Sequence, residues 1–306
     1  FSVDADLKPQ PQMLEHHAVS ADGLQYTFTL REGLTWHDGT PVTAVDCVAS
    51  LQRWMPRDTM GQKLQANLKE LVAVDPRTIR LTLSGPYAFV LESLAKPGGV
   101  VPFMMPERLA RTPGNQQITE SLGSGPFKFK ADEWKPGEKI VYVKNTKYKP
   151  RAEAPSGLAG GKVVKVDRVE WLWIPDVQTQ VGALQNGEID MIESPGHDLL
   201  PILAKDKNIN LLNSNPTGNQ YTFRFNSTAK PFDNPKIRHA VFVAFAQEDF
   251  LKATIGDPQW YKVCKAPFTK TYFTACATEA LYMFPECCVQ PVTDTAPLIT
   301  GRAPVP

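Results

Sequence analysis

The stretch YTFTLREGLTWHDGTPVTA, residues 26–44, contains a predicted strand, a predicted turn and the start of a predicted helix. Tyr26, Phe28 and Leu30 alternate with threonines, which is the two-residue period of a half-buried strand. Asp38-Gly39 is typical of a turn, because glycine accepts positive φ and aspartate can bond its own backbone. A half-buried strand followed by a tight turn is therefore expected here.

A helix is predicted directly after this turn. Thr43 is the expected N-cap, and the carboxylate of Asp46 favours the positive end of the helix. Apolar residues then recur at positions 45, 48, 51 and 55 with helical spacing, and Pro56 ends the helix.

These residues also carry a resemblance to a known family. The string YTFTLREGLTWHDGTPVTAVDCVASLQRW, residues 26–54, resembles the signature of the peptide-type (family 5) extracellular solute-binding proteins of bacterial ABC importers. Three further strings match in the order that the family shows them: GSGPFKF at 123–129, VQTQVGALQNGEIDMIE at 177–193 and FRFNSTAKPFDNPKIRHAV at 223–241. Together the four strings are spread over about two thirds of the chain.

The resemblance implies an α/β fold, a type II periplasmic binding protein-like bilobal clamshell with mixed sheets. The length of 306 residues also favours two lobes. The expected division is a smaller lobe at 1–118, part of the larger N-terminal lobe at 119–216, and at 217–306 the hinge crossover with a truncated start of the C-terminal lobe and an irregular tail. The matches correspond to the middle of such a protein, so an incomplete clamshell is expected.

Later segments also contain residues that typically start and end helices. A helix is predicted between the N-cap Asp176 and the left-handed stop Gly187, and another from Asn234 to Gly256. The order strand, helix, strand around the first of these helices predicts some parallel pairing. The predicted strands lie at 79–83, 127–129, 139–144, 169–174, 188–192 and 221–225.

Composition excludes several classes of partner. The formal net charge of +1 indicates neither a nucleic-acid nor an anionic-membrane partner. No stretch approaches the roughly 18 apolar residues of a membrane span. The chain begins at Phe1 without a signal peptide, which suggests a mature product, a trimmed product or a fragment. With the resemblance, this predicts an exported, periplasmic protein that is a monomer.

Motifs typical of catalysis are weak in this sequence. Trp36-His37-Asp38 are adjacent on a turn, where their side chains diverge, and no nucleophile is spaced to use them. The loop at 123–126 lacks the glycine spacing of a nucleophile elbow and is interpreted as a close crossing of backbones.

Cofactor and metal motifs are equally weak. The glycines at 157–162 fail the phosphate-loop pattern, and His16-His17 is interpreted as a solvated pair. The sequence contains no Cys-x-x-Cys motif. No cofactor and no metal site are expected.

Three sets of apolar or amide residues in predicted loops are the candidate ligand contacts. Methionine and aromatic side chains suit a pocket that accepts varied groups, because thioethers repack easily. Main-chain groups would bind a peptide by strand addition. Core packing is the alternative for each set, and the sequence leaves it open. The sets are Met60, Gly61 and Gln62; Phe103 and Met104; and Asn219, Gln220 and Tyr221.

The resemblance implies a binding protein and not an enzyme. A di- or oligopeptide, or a similar small solute, would be held in an interlobe cleft and delivered to the membrane permease of an ABC importer. Two alternatives stay open at this point: a nonbinding fragment of such a protein, and a hydrolase whose catalytic residues are dispersed. The ligand cannot be named, because the matching strings belong to the scaffold.

Cys264 and Cys276 are predicted to form a disulfide, because they lie twelve residues apart in a protein expected to be exported. Such a loop stabilises by roughly 3 kcal/mol in the chain-entropy model. Cys47 is expected to be a buried thiol, and the pairing of Cys287 and Cys288 is open. Mass mapping of nonreduced peptides should recover one linked 264–276 fragment; two free thiols would contradict the pairing.

Overall fold

The computed structural model describes residues 1–213, 219–221, 224–263, 292–294 and 298–302, with only the backbone described at 219–221, 292–294 and 298–302. The chain forms two compact units, Phe1–Trp173 and Ile174–Pro306. The expected lobe boundaries at 118/119 and 216/217 concern a whole clamshell and stay predictions. Cys264 and Cys276 lie outside the described residues, so their pairing also stays a prediction.

The first unit contains most of the described strands. In chain order its elements are β1 (Ser2–Val3), β2 (Pro9–Gln10), β3 (Leu14–Val19), β4 (Gln25–Leu30), α1 (Ala44–Trp54), α2 (Thr59–Ala66), β5 (Leu68–Ala73), β6 (Thr78–Leu83), α3 (Val90–Leu94), α4 (Glu107–Ala110), β7 (Phe127–Phe129), β8 (Lys139–Lys144) and β9 (Arg168–Leu172).

A four-stranded antiparallel sheet, in the order β3-β4-β6-β5, carries the main core of this unit. Its centre follows the predicted alternation, because Tyr26, Phe28 and Leu30 are buried while the threonines between them are half-buried. Helix α1 packs Leu51 and Trp54 into the same cluster. The predicted strand, turn and helix at the start of the family signature are thus confirmed.

The carboxylate of Asp46, at the start of α1, joins three parts of the first unit. It accepts from the backbone N–H of the N-cap Thr43 at 2.8 Å, while the Thr43 hydroxyl accepts from the Asp46 N–H. It also accepts from Trp36 Nε1 at 3.3 Å and from the Glu107 N–H at 2.7 Å. Only 8% of Asp46 is exposed, so its hydrogen bonds replace those to water.

The turn around His37 packs against the predicted glycine loop. The His37 N–H donates to Gly123 O at 2.8 Å, and its ring lies 3.4 Å from the Gly123 N–H through Nδ1 and 3.1 Å from Gly125 O through Nε2. A Cβ on Gly123 would lie 3.3 Å from the His37 ring, whereas one on Gly125 would meet open space. The predicted close crossing is therefore confirmed at Gly123 and is wrong at Gly125.

The second sheet of this unit, β7-β8-β9, is also antiparallel. Val141 at its centre is fully buried. Ile140 and Trp171, which oppose each other across β8 and β9, are both exposed. The sheet therefore leaves an apolar cross-strand pair in water.

The structure describes fewer residues in the second unit. Its elements are α5 (Val177–Asn186), α6 (Leu200–Leu203), β10 (Ile209–Leu212), β11 (Asn219–Tyr221), α7 (Pro235–Ala244), α8 (Gln247–Ile255), β12 (Tyr261–Val263), β13 (Val292–Asp294) and β14 (Leu298–Arg302). Strand β10 pairs with β14, and β13 lies between β11 and β12. Helix α5 is capped by Asp176 and ends at Gly187 with φ 74°, as predicted.

The predicted strand at 188–192 is wrong. The N–H groups of Glu188 and Ile189 both donate to Ala183 O, so the chain stays attached to the end of α5. Ile192 is buried with Leu184 in the core of this unit. The predicted parallel pairing is also wrong for the described strands, since every pairing among them is antiparallel.

The last predicted helix is two helices. Phe245 and Ala246 have extended backbones between α7 and α8. A second helix start is favourable at this point because Glu248 lies in the first turn of α8, near its positive end. Ile237 of α7 is exposed, whereas Leu251 of α8 is fully buried.

Replacing Asp46 by alanine should lower the free energy of unfolding by about 2–4 kcal/mol, because a helix cap is lost and buried donors lose their acceptor. Urea unfolding followed by tryptophan fluorescence measures this change. Asp132→Ala is the matched control, since that side chain is 71% exposed, and it should cost within about 0.5 kcal/mol. Equal losses for the two variants would refute the role of Asp46.

The turn at His37 should make stability fall in mild acid. Burial, and to a lesser degree Lys128, lower the pKa of His37, while the bond to Gly125 and the charge of Asp38 raise it; the net direction is down. As pH falls through about 6.5, the unfolded chain therefore takes up the proton first, and stability is lost until the folded pKa is passed.

Unfolding free energies at pH 7.5 and pH 5.5 test this expectation. The difference between the two pH values should shrink in His37→Gln, although that variant loses stability at both. Parallel pH profiles for the wild type and the variant would contradict the assignment.

Candidate functional site

The first candidate set lies on the first turn of α2. Asp58 is the N-cap, and its carboxylate accepts from the N–H groups of Met60 at 2.9 Å and Gly61 at 3.1 Å. A Cβ on Gly61 would lie 2.7 Å from Met55 O, so only glycine fits without a backbone shift. Gly61 is thus a packing position, whereas Met60 is half-buried and Gln62 is exposed.

A buried ion pair holds this turn. Lys96 bonds the carboxylate of Asp58, of which 4% is exposed. Burial raises the pKa of Asp58, but the bonds from Lys96, Gly61 and Met60 outweigh it and lower the pKa overall. The carboxylate therefore stays ionised, and the start of α2 is attached to the loop that follows Lys96.

The second candidate set lies on that loop, at 97–105, and α1 holds the loop at two points. Trp54 Nε1 donates to Val100 O at 2.7 Å. Ser50 Oγ donates to Met105 O at 3.0 Å and accepts from the Met105 N–H at 2.9 Å. The backbone is thus fixed on both sides of the candidate residues.

Between these two points the candidate side chains take opposite roles. Met104 is half-buried and packs against the main core. Phe103 is 77% exposed. The core-packing alternative therefore describes Met104, while Phe103 is a large apolar side chain presented to solvent by an anchored backbone.

The third candidate set, Asn219, Gln220 and Tyr221, forms β11 in the second unit. The strand predicted at 221–225 thus begins earlier, at Asn219, and its three described residues pair with β13. Phe225, which was predicted to continue the strand, lies outside it. Ligand contact by all three sets stays a prediction.

Sequence reasoning missed the residues that position these loops. Ser50 and Trp54 were quoted only as part of the family string, and Lys96 was not singled out; their partners lie 38 to 55 positions away in the chain. Asp58 followed by Thr59 was a recognisable N-cap signal for α2. The contact partners themselves had no local signal.

The remaining polar candidates form no reactive site in the described structure. Cys47 is buried as expected, and burial raises the pKa of its thiol to about 12. The described residues bring together no metal-ligating cluster of three or more histidine, cysteine or acidic side chains. None of the described helices has the length and apolar character needed to cross a membrane.

Comparison with known proteins assigns the family. Residues 8–261 match the model of the bacterial extracellular solute-binding proteins, family 5. The chain is 44% identical over 89% of its length to a Sinorhizobium fredii protein named "Probable peptide ABC transporter periplasmic-binding protein y4tO", covering 51% of that protein. It is 31% identical over 84% of its length to the glutathione-binding protein GsiB of Salmonella paratyphi A, covering 47%.

A solved structure supports the fold. The oligopeptide-binding protein AppA from Bacillus subtilis, in complex with a nonapeptide, superposes with a TM-score of 0.70 at 21% identity. The match covers 90% of this chain and 52% of AppA. The chain thus has the α/β fold of type II periplasmic binding proteins and spans about half the length of the relatives it matches.

The family consists of transport binding proteins and not enzymes, so the hydrolase alternative is set aside. By the match over residues 8–261, the chain belongs to the bacterial extracellular solute-binding proteins, family 5.

Proposed function

We propose that this chain is part of the periplasmic substrate-binding component of an ABC importer and binds a di- or oligopeptide or a similar small solute. The family match carries the proposal. The names of the relatives add support, since y4tO is named for peptide transport and GsiB for glutathione binding. Delivery of the solute to a membrane permease is part of the proposal for the whole protein, which we expect to be a monomer.

The geometry of the first unit supports solute binding at the loops around α1. Phe103 is exposed on a backbone that Trp54 and Ser50 hold in place, so little conformational entropy would be lost on binding. Met60 and Gln62 lie on the anchored first turn of α2. An anchored aromatic side chain, together with amide and thioether groups on another anchored segment, suits solutes with varied side chains.

Closure around the solute would follow from differential affinity. A ligand that binds one conformation better than another shifts the population toward that conformation. The solute leaves chemically unchanged in this scheme, and no cofactor is required. The main-chain groups of Asn219, Gln220 and Tyr221 are proposed as further peptide contacts by strand addition.

Calorimetry of this protein against di- to pentapeptides and glutathione tests the proposal. We expect micromolar binding with a negative change in heat capacity for at least one probe, because apolar surface becomes buried. If no probe of the panel gives a detectable heat of binding, the alternative of a nonbinding fragment is favoured.

A matched pair of variants tests the role of Phe103 for the probe that binds. Phe103→Ala should weaken binding about tenfold, equivalent to about 1.4 kcal/mol, through loss of apolar contact area. Phe89→Ala is the control, since Phe89 is also exposed but belongs to none of the candidate sets. Equal affinity of the two variants would remove Phe103 from the site.

A further inference from the structure

A second feature of α1 is a depression of about 500 Å³ in the first unit, which we call the arginine groove. Its volume lies within the range of roughly 300–1,000 Å³ that is usual for small-molecule pockets. The residues of α1 and the following turn that line it recur at helical spacing, and the loop after α4 forms the other side. The lining residues are Ala49, Gln52, Arg53, Pro56, Arg57, Ala110, Arg111, Thr112 and Gly114.

The lining of the groove is cationic without a matching carboxylate. It includes three arginines and no acidic residue. Arg111 pairs with Glu107 outside the groove at 2.6 Å. Within the described part of the chain, neither Arg53 nor Arg57 has a carboxylate partner within the 4.0 Å of a salt bridge. Burial, and then repulsion by Arg57, lower the pKa of Arg53, which agrees with an excess of positive charge.

Hydrogen bonds to carbonyl groups fix the two unpaired guanidinium groups. Arg53 Nη1 donates to Thr112 O and, at 3.3 Å, to Ala110 O. Arg57 Nη2 donates to Gly114 O at 2.9 Å. Among the described residues, no acceptor takes Nε or Nη2 of Arg53, or Nε or Nη1 of Arg57, so each guanidinium keeps unused donors.

The lining of the groove also includes small and apolar residues. Ala49 and Ala110 are buried, and Pro56 is a further apolar residue of the lining. A planar guanidinium fork matches a carboxylate through two parallel hydrogen bonds. The combination suits an anion with an aliphatic body and carboxylate groups.

We infer that the arginine groove binds a small aliphatic carboxylate, with Arg53 and Arg57 as its hydrogen-bond donors. None of the residues that line the groove belongs to the proposed solute contacts. The groove is therefore proposed as a second site, whose occupation does not require a transported solute.

Titration with tricarballylate, followed by the backbone amide signals of Ala110, Arg111, Thr112 and Gly114, tests the inference. Binding with a dissociation constant on the order of 1 mM is expected, because charge-assisted contacts in a groove open to water are weak. Inorganic phosphate at equal ionic strength should bind at least tenfold more weakly. Equal effects of the two anions would mean charge screening only and would overturn the proposal.

Variants assign the binding to the groove. Arg57→Gln should weaken tricarballylate binding about tenfold, and Arg57→Lys, which keeps the charge but loses the fork, about threefold. Arg80→Gln is the matched control, because it removes an arginine that pairs with Glu70 on the sheet. Unchanged affinity in either Arg57 variant, with circular dichroism confirming its fold, would refute the site.

Repeating the titration with protein saturated by the best peptide of the panel tests whether the groove and the solute site are independent. An unchanged dissociation constant for tricarballylate supports two sites, whereas displacement by peptide would overturn the inference. If no peptide binds, the titration of the free protein and the Arg57 variants still decide the question.

Discussion

One buried carboxylate, that of Asp46, holds together the start of α1, the indole of Trp36 and the start of α4. A carboxylate removed from water must recover its hydrogen bonds inside the protein, and each donor here comes from a different segment. The position of α1 on the sheet and the path of the chain into α4 are therefore set together. The hydrogen bond from the Glu107 N–H to Asp46 thus fixes where the loop before α4 ends.

Two faces of α1 then serve two different purposes. Asp46, Ser50 and Trp54 recur every four residues and hold the chain from Val100 to Glu107 by hydrogen bonds. The neighbouring face, with Arg53 and the turn that carries Arg57, holds the chain after α4. Residues four apart share a helix face, so a single helix can fix an exposed Phe103 on one side and a cationic groove on another.

Local patterns predicted much of this fold correctly. The alternation at Tyr26–Leu30 and the caps at Thr43 and Asp176 depend on neighbours within four residues, which the sequence shows directly. The failures occurred where distant packing decided. Ile192 buries beside α5 instead of extending a strand, and the chain breaks at Phe245 where a second helix start competes.

The sequence by itself determined the family, the turns and caps, and three sets of residues that could contact a solute. Only the tertiary structure decided what their side chains do in the first unit: Gly61 packs against backbone, Met104 enters the core and Phe103 faces water. Burial depends on contacts such as Lys96 with Asp58, whose partners lie far apart in the chain. No local pattern records such contacts, because they form only when the whole unit packs.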